Sequence, residues 1–223
     1  RCGGDAMIPV CIDLETRPAF MTPEAMQAAA LASKSNPKRN ADTRAEWAAD
    51  PVNQAAVWGK GALGICTARI CAVAIRVGDS TQARASWTNE RELVDWIAEM
   101  LPPDPLWIGH NLAGFDLPIL RMAAMRYSHS WLRDRIPTYR YSKSIADTMQ
   151  IAAGTSSRFA GITAHGLAQS LGLPGKGDLA VIDFPALWAR AIAGEVASVE
   201  TVLQNRAVVD VLTEWAIWQR MTQ

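Results

Sequence analysis

The strongest constraint in this sequence is a set of acids placed where apolar residues would be expected. Ile8 to Leu14 is an apolar run broken only by Pro9 and Asp13, which suits a buried strand with an acidic end. Asp13 and Glu15 are two residues apart, so the pleat turns both carboxylates to one face. By itself a D-x-E pair also fits a solvated strand end, since loops after strands are normally polar. In the stretch Ile108 to Asp116 a buried strand runs through small residues to a helix start, where Asp116 could simply be an N-cap. Asp210 lies in Val208-Val209-Asp210-Val211-Leu212 on a long helix, where a charge is costly unless paired or metal-bound. Together the four acids resist separate explanations.

Hard divalent cations take oxygen ligands, and two ions a few ångströms apart need several carboxylates to offset their charge. Such a pair serves in-line phosphoryl displacement, one ion activating water and the other stabilising the leaving oxygen. Other chemistries lack their motifs. Gly59-x-Gly61-x-x-Gly64 matches a dinucleotide fingerprint, but a strand pattern follows it where a helix must begin. The loop Gly172 to Gly177 has Ser170 where a P-loop needs glycine and no hydroxyl after Lys176. His110, His129 and His165 are too scattered for a histidine metal site, and Cys2, Cys11, Cys66 and Cys71 form no C-x-x-C pair.

The 223 residues include 22 Lys plus Arg and 22 Asp plus Glu, and 49% are hydrophobic, a globular composition. The length suits one domain, residues 1–223, with an insertion of short helices and loops at about 18–64 whose middle carries Lys34, Lys38, Arg39 and Arg44. Zero net charge argues against a binder driven by excess cations. The four cysteines sit in or near apolar runs, as reduced core thiols do, so a reducing cytoplasm is expected; with no stretch approaching about 18 uninterrupted apolar residues and no basic and apolar leader at the start, no membrane association is expected.

Ala68 to Val77 reads as a second strand, with Ala83 to Thr88 returning after the Gly78-Asp79 turn. Asn89 opens a helix with Glu92 as its capping-box partner, and Pro102 and Pro103 end it. Leu106 to Ile108 is a buried strand, Asp116 starts a helix, and Ser144 to Met149 suggests a fifth strand. Helices are expected over Thr163 to Leu171, Ala186 to Ala193 and Val199 to Met221. The order gives an α/β fold, a mixed sheet covered by helices.

Ile12-Asp13-Leu14-Glu15-Thr16, His110-Asn111-Leu112-Ala113-Gly114-Phe115-Asp116 and the stretch Asn205 to Asp210 resemble, in order and spacing, the three motifs of the DEDD 3′–5′ exonuclease superfamily. Ala146-Asp147-Thr148-Met149 resembles the "DT" strand of proofreading domains. The tract Trp58 to Leu63 is similar to the insertion of predicted exonucleases related to family B polymerase domains, many of phages or prophages. The resemblance implies a ribonuclease H-like fold with a mixed central sheet, and two Mg²⁺ or Mn²⁺ ions held by Asp13, Glu15, Asp116 and Asp210. It also implies substrate contacts at Leu14, Thr16, His110, Asn111, Phe115 and Lys176. The reaction implied is 3′–5′ hydrolysis of single-stranded DNA ends, with replication or phage-associated proteins as partners. An exoribonuclease or oligoribonuclease, or a catalytically silent nucleic-acid-binding module, is the alternative.

The family places a Tyr or His base before the last Asp. Here those positions hold Arg206 and Asn205, neither of which is a base at neutral pH. Either Asn205 orients water that the metal alone acidifies, or catalysis is lost; Arg206 could instead pair with Asp210 one turn on. His110 also reads as a structural hydrogen-bonding residue, Lys176 as a solvated loop lysine and Asp147 as a turn acid. Residues 121–143 hold Arg121, Arg126, Arg133, Arg135, Arg140 and Lys143 against one acid, with all three tyrosines interleaved. That suits a grip on a single strand; the plainer alternative is a solvated helix face with aromatic anchors in the core.

Overall fold

Strand β1 (Ile8–Pro18) sorts its side chains onto two faces of the sheet. Val10, Ile12 and Leu14 enter a large apolar cluster, and Cys11 enters a separate one with Ala74, Ala207 and Val211. Strand parity places Asp13 and Glu15 on the Cys11 face. The computed structural model describes residues 6–19, 22–33, 36, 40–154, 162–177 and 182–223. Lys34, Lys38 and Arg39 lie outside the described residues.

Between β1 and β2 (Ala68–Val77) the chain forms α1 (Pro23–Ala32), α2 (Ala41–Ala49) and α3 (Pro51–Leu63). Then come β3 (Ser80–Ala85), α4 (Glu90–Met100), β4 (Pro105–Gly109), α5 (Asp116–Arg126) and α6 (Ser130–Arg135). The chain ends with β5 (Ile145–Asp147), α7 (Thr148–Ala153), α8 (Ala164–Ser170), α9 (Phe184–Ile192) and α10 (Val196–Thr222). The sheet order is β3-β2-β1-β4-β5. β2 runs antiparallel to β1 and to β3, whereas β4 is parallel to β1 and β5 to β4. This is the expected mixed sheet covered by helices.

Helices α4, α5 and α6 cover the Ile12 face through Leu93, Ile97, Leu120 and Leu132. The other face is covered by α10, joined near β2 by α3 and α9 through Trp58, Trp188 and Leu203. Several expected boundaries move. β1 continues past Leu14 to Pro18, and β3 begins at Ser80 directly after the turn. The fifth strand stops at Asp147, because that side chain caps α7 by accepting from the Met149 and Gln150 N–H groups. The Gly59–Gly64 string ends a helix instead of starting one: Gly59 and Gly61 lie within α3 and Gly64 is its C-cap.

Candidate active site

Two irregularities in the backbone bring the four acids to one cleft. The first is a bulge in β2: Glu15 faces Ala72 while Thr16 faces Ile70, leaving Cys71 as the extra residue. Ala72 and Ala74, opposite Glu15 and Asp13, are small and leave room on that face for carboxylates and for α10. The second is the turn from β4 to α5. Pairing of β1 with β4 ends at Cys11 and Ile108, and beyond it the Leu14 N–H donates to Asp116 Oδ1 at 3.1 Å. Asp116 is therefore tied to β1 and is not the N-cap; Phe115 holds that position without a side-chain cap bond.

The turn is built from its own residues. Asn111 has φ 59°, a left-handed conformation that asparagine tolerates better than most residues. Its carboxamide sits where a Cβ at residue 114 would be, so Gly114 is required for the close approach. Asp147 accepts from the Asn111 N–H at 3.0 Å and the Ala113 N–H at 3.1 Å, which makes it a turn acid as expected.

On the other side, α10 lowers Asp210 (4% exposed) onto the strand acids. One oxygen each from Asp13, Glu15 and Asp210 lie within 4.8 Å of one another. These residues and Asp116 line a cleft of about 690 Å³, together with Leu14, His110, Asn111, Phe115 and Lys176. Thr16 lies behind the cleft, where its hydroxyl donates to the Ala62 carbonyl at 2.7 Å. Beside the cleft, and sharing Leu14, Glu15, Phe115 and Phe184 with it, is an apolar slot of about 250 Å³ that Thr16, Leu63 and Trp188 also line.

The model of the family described as predicted 3′–5′ exonucleases related to the exonuclease domain of PolB matches residues 65–223. The chain belongs to this family. No curated protein and no solved structure matches it. The mixed sheet agrees with the ribonuclease H-like class of such exonuclease domains. The family match contains Asp116 and Asp210; Asp13 and Glu15 precede it, and only the sheet brings the two pairs together.

Two basic side chains sit among the cleft acids. Lys176 Nζ is 2.8 Å from Asp210 Oδ1, while Arg206 Nε is 2.9 Å from Asp210 Oδ2 and 3.5 Å from Glu15 Oε1. Lys176 is thus held in the cleft and is not a solvated loop residue. His110 is saturated, with Nδ1 3.0 Å from Thr148 Oγ1 and Nε2 3.0 Å from the Ile162 carbonyl. Asn205 is exposed on α10 and is not among the residues lining the cleft; Arg206 takes the place facing the acids. No residue of 121–143 lines the cleft among the described residues. Arg126 and Tyr127 bind Glu90, Arg121 donates to the Ile136 carbonyl, and Arg135 packs over Trp131.

Sequence reasoning passed over Glu214, which is 4% exposed and lines the same cleft. Its signal was legible: Leu203, Ala207, Asp210, Glu214 and Ile217 form one buried stripe on α10 at helical spacing.

Crowding shifts these acids strongly. Burial, then the Asp210 charge, push Asp13 up to about 7 despite Lys176 and Arg206. Burial likewise holds Glu15, Asp116 and Glu214 well above the usual carboxylate range, with Asp13 the first charged neighbour in each case. Asp13 opens partly to the cleft, but its Oδ2 is buried and has no hydrogen-bond partner among the described residues. An all-oxygen donor set with an orphaned carboxylate oxygen fits a hard divalent cation.

Proposed function

We propose that the chain is a DEDD-type 3′–5′ exonuclease that hydrolyses phosphodiester bonds at the 3′ end of single-stranded DNA with two divalent ions. The observation that carries this reading is the convergence of Asp13, Glu15 and Asp210 within 4.8 Å in a cleft that Asp116 also lines. These acids would hold Mg²⁺ or Mn²⁺, which would supply an activated water and stabilisation of the leaving oxygen. Asp13, Glu15 and Asp210 would hold one ion, and Asp13 with Asp116 face the other. Asp116 also keeps β1 aligned through the Leu14 N–H. Lys176 and Arg206 neutralise Asp210 and Glu15 without metal and lie where they can turn to a substrate phosphate.

The chain offers no neutral base in the cleft among the described residues. Both His110 nitrogens are engaged, and His165 accepts the Lys176 N–H at Nδ1, which leaves its proton on Nε2. Acidifying the attacking water would be the contribution of a bound ion, and the exposed Asn205 lies outside the cleft lining. The apolar slot suits the face of a terminal base, an interaction of about 1–3 kcal/mol that tolerates any sequence. The slot's hydroxyl, on Thr16, donates its hydrogen to the Ala62 carbonyl and so has none to give a ribose 2′-oxygen, which supports DNA over RNA.

A silent nucleic-acid-binding module is the second reading, favoured by the cations already on Asp210 and Glu15. A 3′-labelled strand incubated with Mg²⁺ or Mn²⁺ separates the two. Wild type should release mononucleotides, EDTA or Asp13→Ala should stop release, and a ribo strand should be cut more slowly. Binding without release in either metal would overturn the enzymatic reading.

A further inference from the structure

We infer that Glu214 is a metal ligand that joins Asp13 and Asp116 around the second cation position of the cleft. The inference rests on the exonuclease reading above and adds a fifth carboxylate to it. Glu214 lies one helical turn after Asp210 on the buried stripe of α10, so both side chains project toward β1. It is 4% exposed, lines the cleft, and makes no hydrogen bond or ion pair with any described residue. A buried carboxylate in that condition is costly unless a proton or a cation sits on it.

Its surroundings indicate the cation. The oxygens of Asp13, Glu15 and Asp210 form one group within 4.8 Å, to which neither Asp116 nor Glu214 belongs. Asp116 and Glu214 line the same cleft outside that group. Asp13 lines the cleft with both, and its buried Oδ2 has no partner among the described residues. Two cations sharing Asp13 use every one of these carboxylates. The ion pairs of Lys176 and Arg206 fall on Asp210 and Glu15, and Asp13, Asp116 and Glu214 have none within 4.0 Å among the described residues.

The test is Mn²⁺ titration of the metal-free protein, with free Mn²⁺ read by electron paramagnetic resonance. Wild type should bind two ions. Glu214→Gln, which has the shape of the protonated acid, should keep one ion and weaken the other by at least about tenfold. The retained ion also certifies that the variant is folded. Should Glu214→Gln fold poorly, Glu214→Asp, charged but shorter, should show the same selective weakening. Two ions bound with wild-type affinity by either folded variant would overturn the assignment. If wild type binds no Mn²⁺, the exonuclease reading fails first and this inference with it.

Discussion

Glu90 is buried about as deeply as the cleft acids Asp116, Asp210 and Glu214, and the two kinds of site are held in opposite ways. Glu90, 3% exposed, accepts from the Ile70 N–H at 2.8 Å, from Arg126 Nη1 at 2.5 Å and from the Tyr127 hydroxyl at 3.0 Å. In the cleft, Asp116 accepts one backbone N–H, Asp13 Oδ2 has no partner and Glu214 makes no bond, all among the described residues. The first carboxylate joins β2, α4 and α5. The second group is a concentration of like charge that the fold tolerates at a cost in stability, as functional sites commonly do.

Mutation should break the two in opposite directions. The largest effect expected is on activity: Asp13→Asn should slow metal-dependent nucleotide release at least about a thousandfold, the scale of losing a central electrostatic group. The same change should raise the melting temperature of the metal-free protein, because it removes a repelling charge from beside Glu15, Asp116 and Asp210. Glu90→Gln should do the reverse. It strips a buried partner from Arg126 and Tyr127, costs about 3 kcal/mol and lowers the melting temperature by about 6–12 °C, with turnover at 25 °C within about twofold. If Asp13→Asn destabilised the metal-free protein as Glu90→Gln does, the contrast would be lost.

Titration sharpens it further. Asp13 rises from 3.8 to about 7 in the fold, and Glu15, Asp116 and Glu214 shift the same way. Between about pH 4 and 7 the folded protein retains protons that the unfolded chain has released, so stability falls as pH rises through that window. Thermal melts in EDTA should therefore show a higher melting temperature at pH 5 than at pH 8. Added Mn²⁺ should restore the loss at pH 8 and do little at pH 5. The smallest effect belongs to Asn205→Ala, whose turnover should stay within about twofold of wild type in the labelled-strand assay, since Asn205 is exposed away from the cleft lining.

The parts legible in the sequence were those set by local pattern. Asn89 caps α4 by accepting the Glu92 N–H, as its spacing suggests, and the Ile108 to Asp116 stretch is a strand, turn and helix. The basic and aromatic run at 121–143 shows where pattern misleads. Its composition suited a strand-binding surface, but Arg121, Arg126 and Tyr127 are spent on internal partners. Nothing local distinguishes an arginine that faces solvent from one that meets a glutamate 36 residues earlier. Glu214 was missed for the converse reason: an acid among Thr213, Trp215 and Ala216 looks like a solvated helix position until the stripe through Asp210 is traced.

By itself the sequence determined which residues must be buried together. Apolar runs had to enter a core, and acids embedded in them had to go with it. The tertiary structure decided what those acids meet. Register and a bulge at Cys71 set Glu15 beside Asp13, the end of β1–β4 pairing opened the Leu14 N–H to Asp116, and α10 brought Arg206 and Glu214 to the cleft that Lys176 enters from the loop after α8. Electrostatic energy depends on separations of a few ångströms across elements far apart in the chain, and those separations exist only once the sheet is assembled.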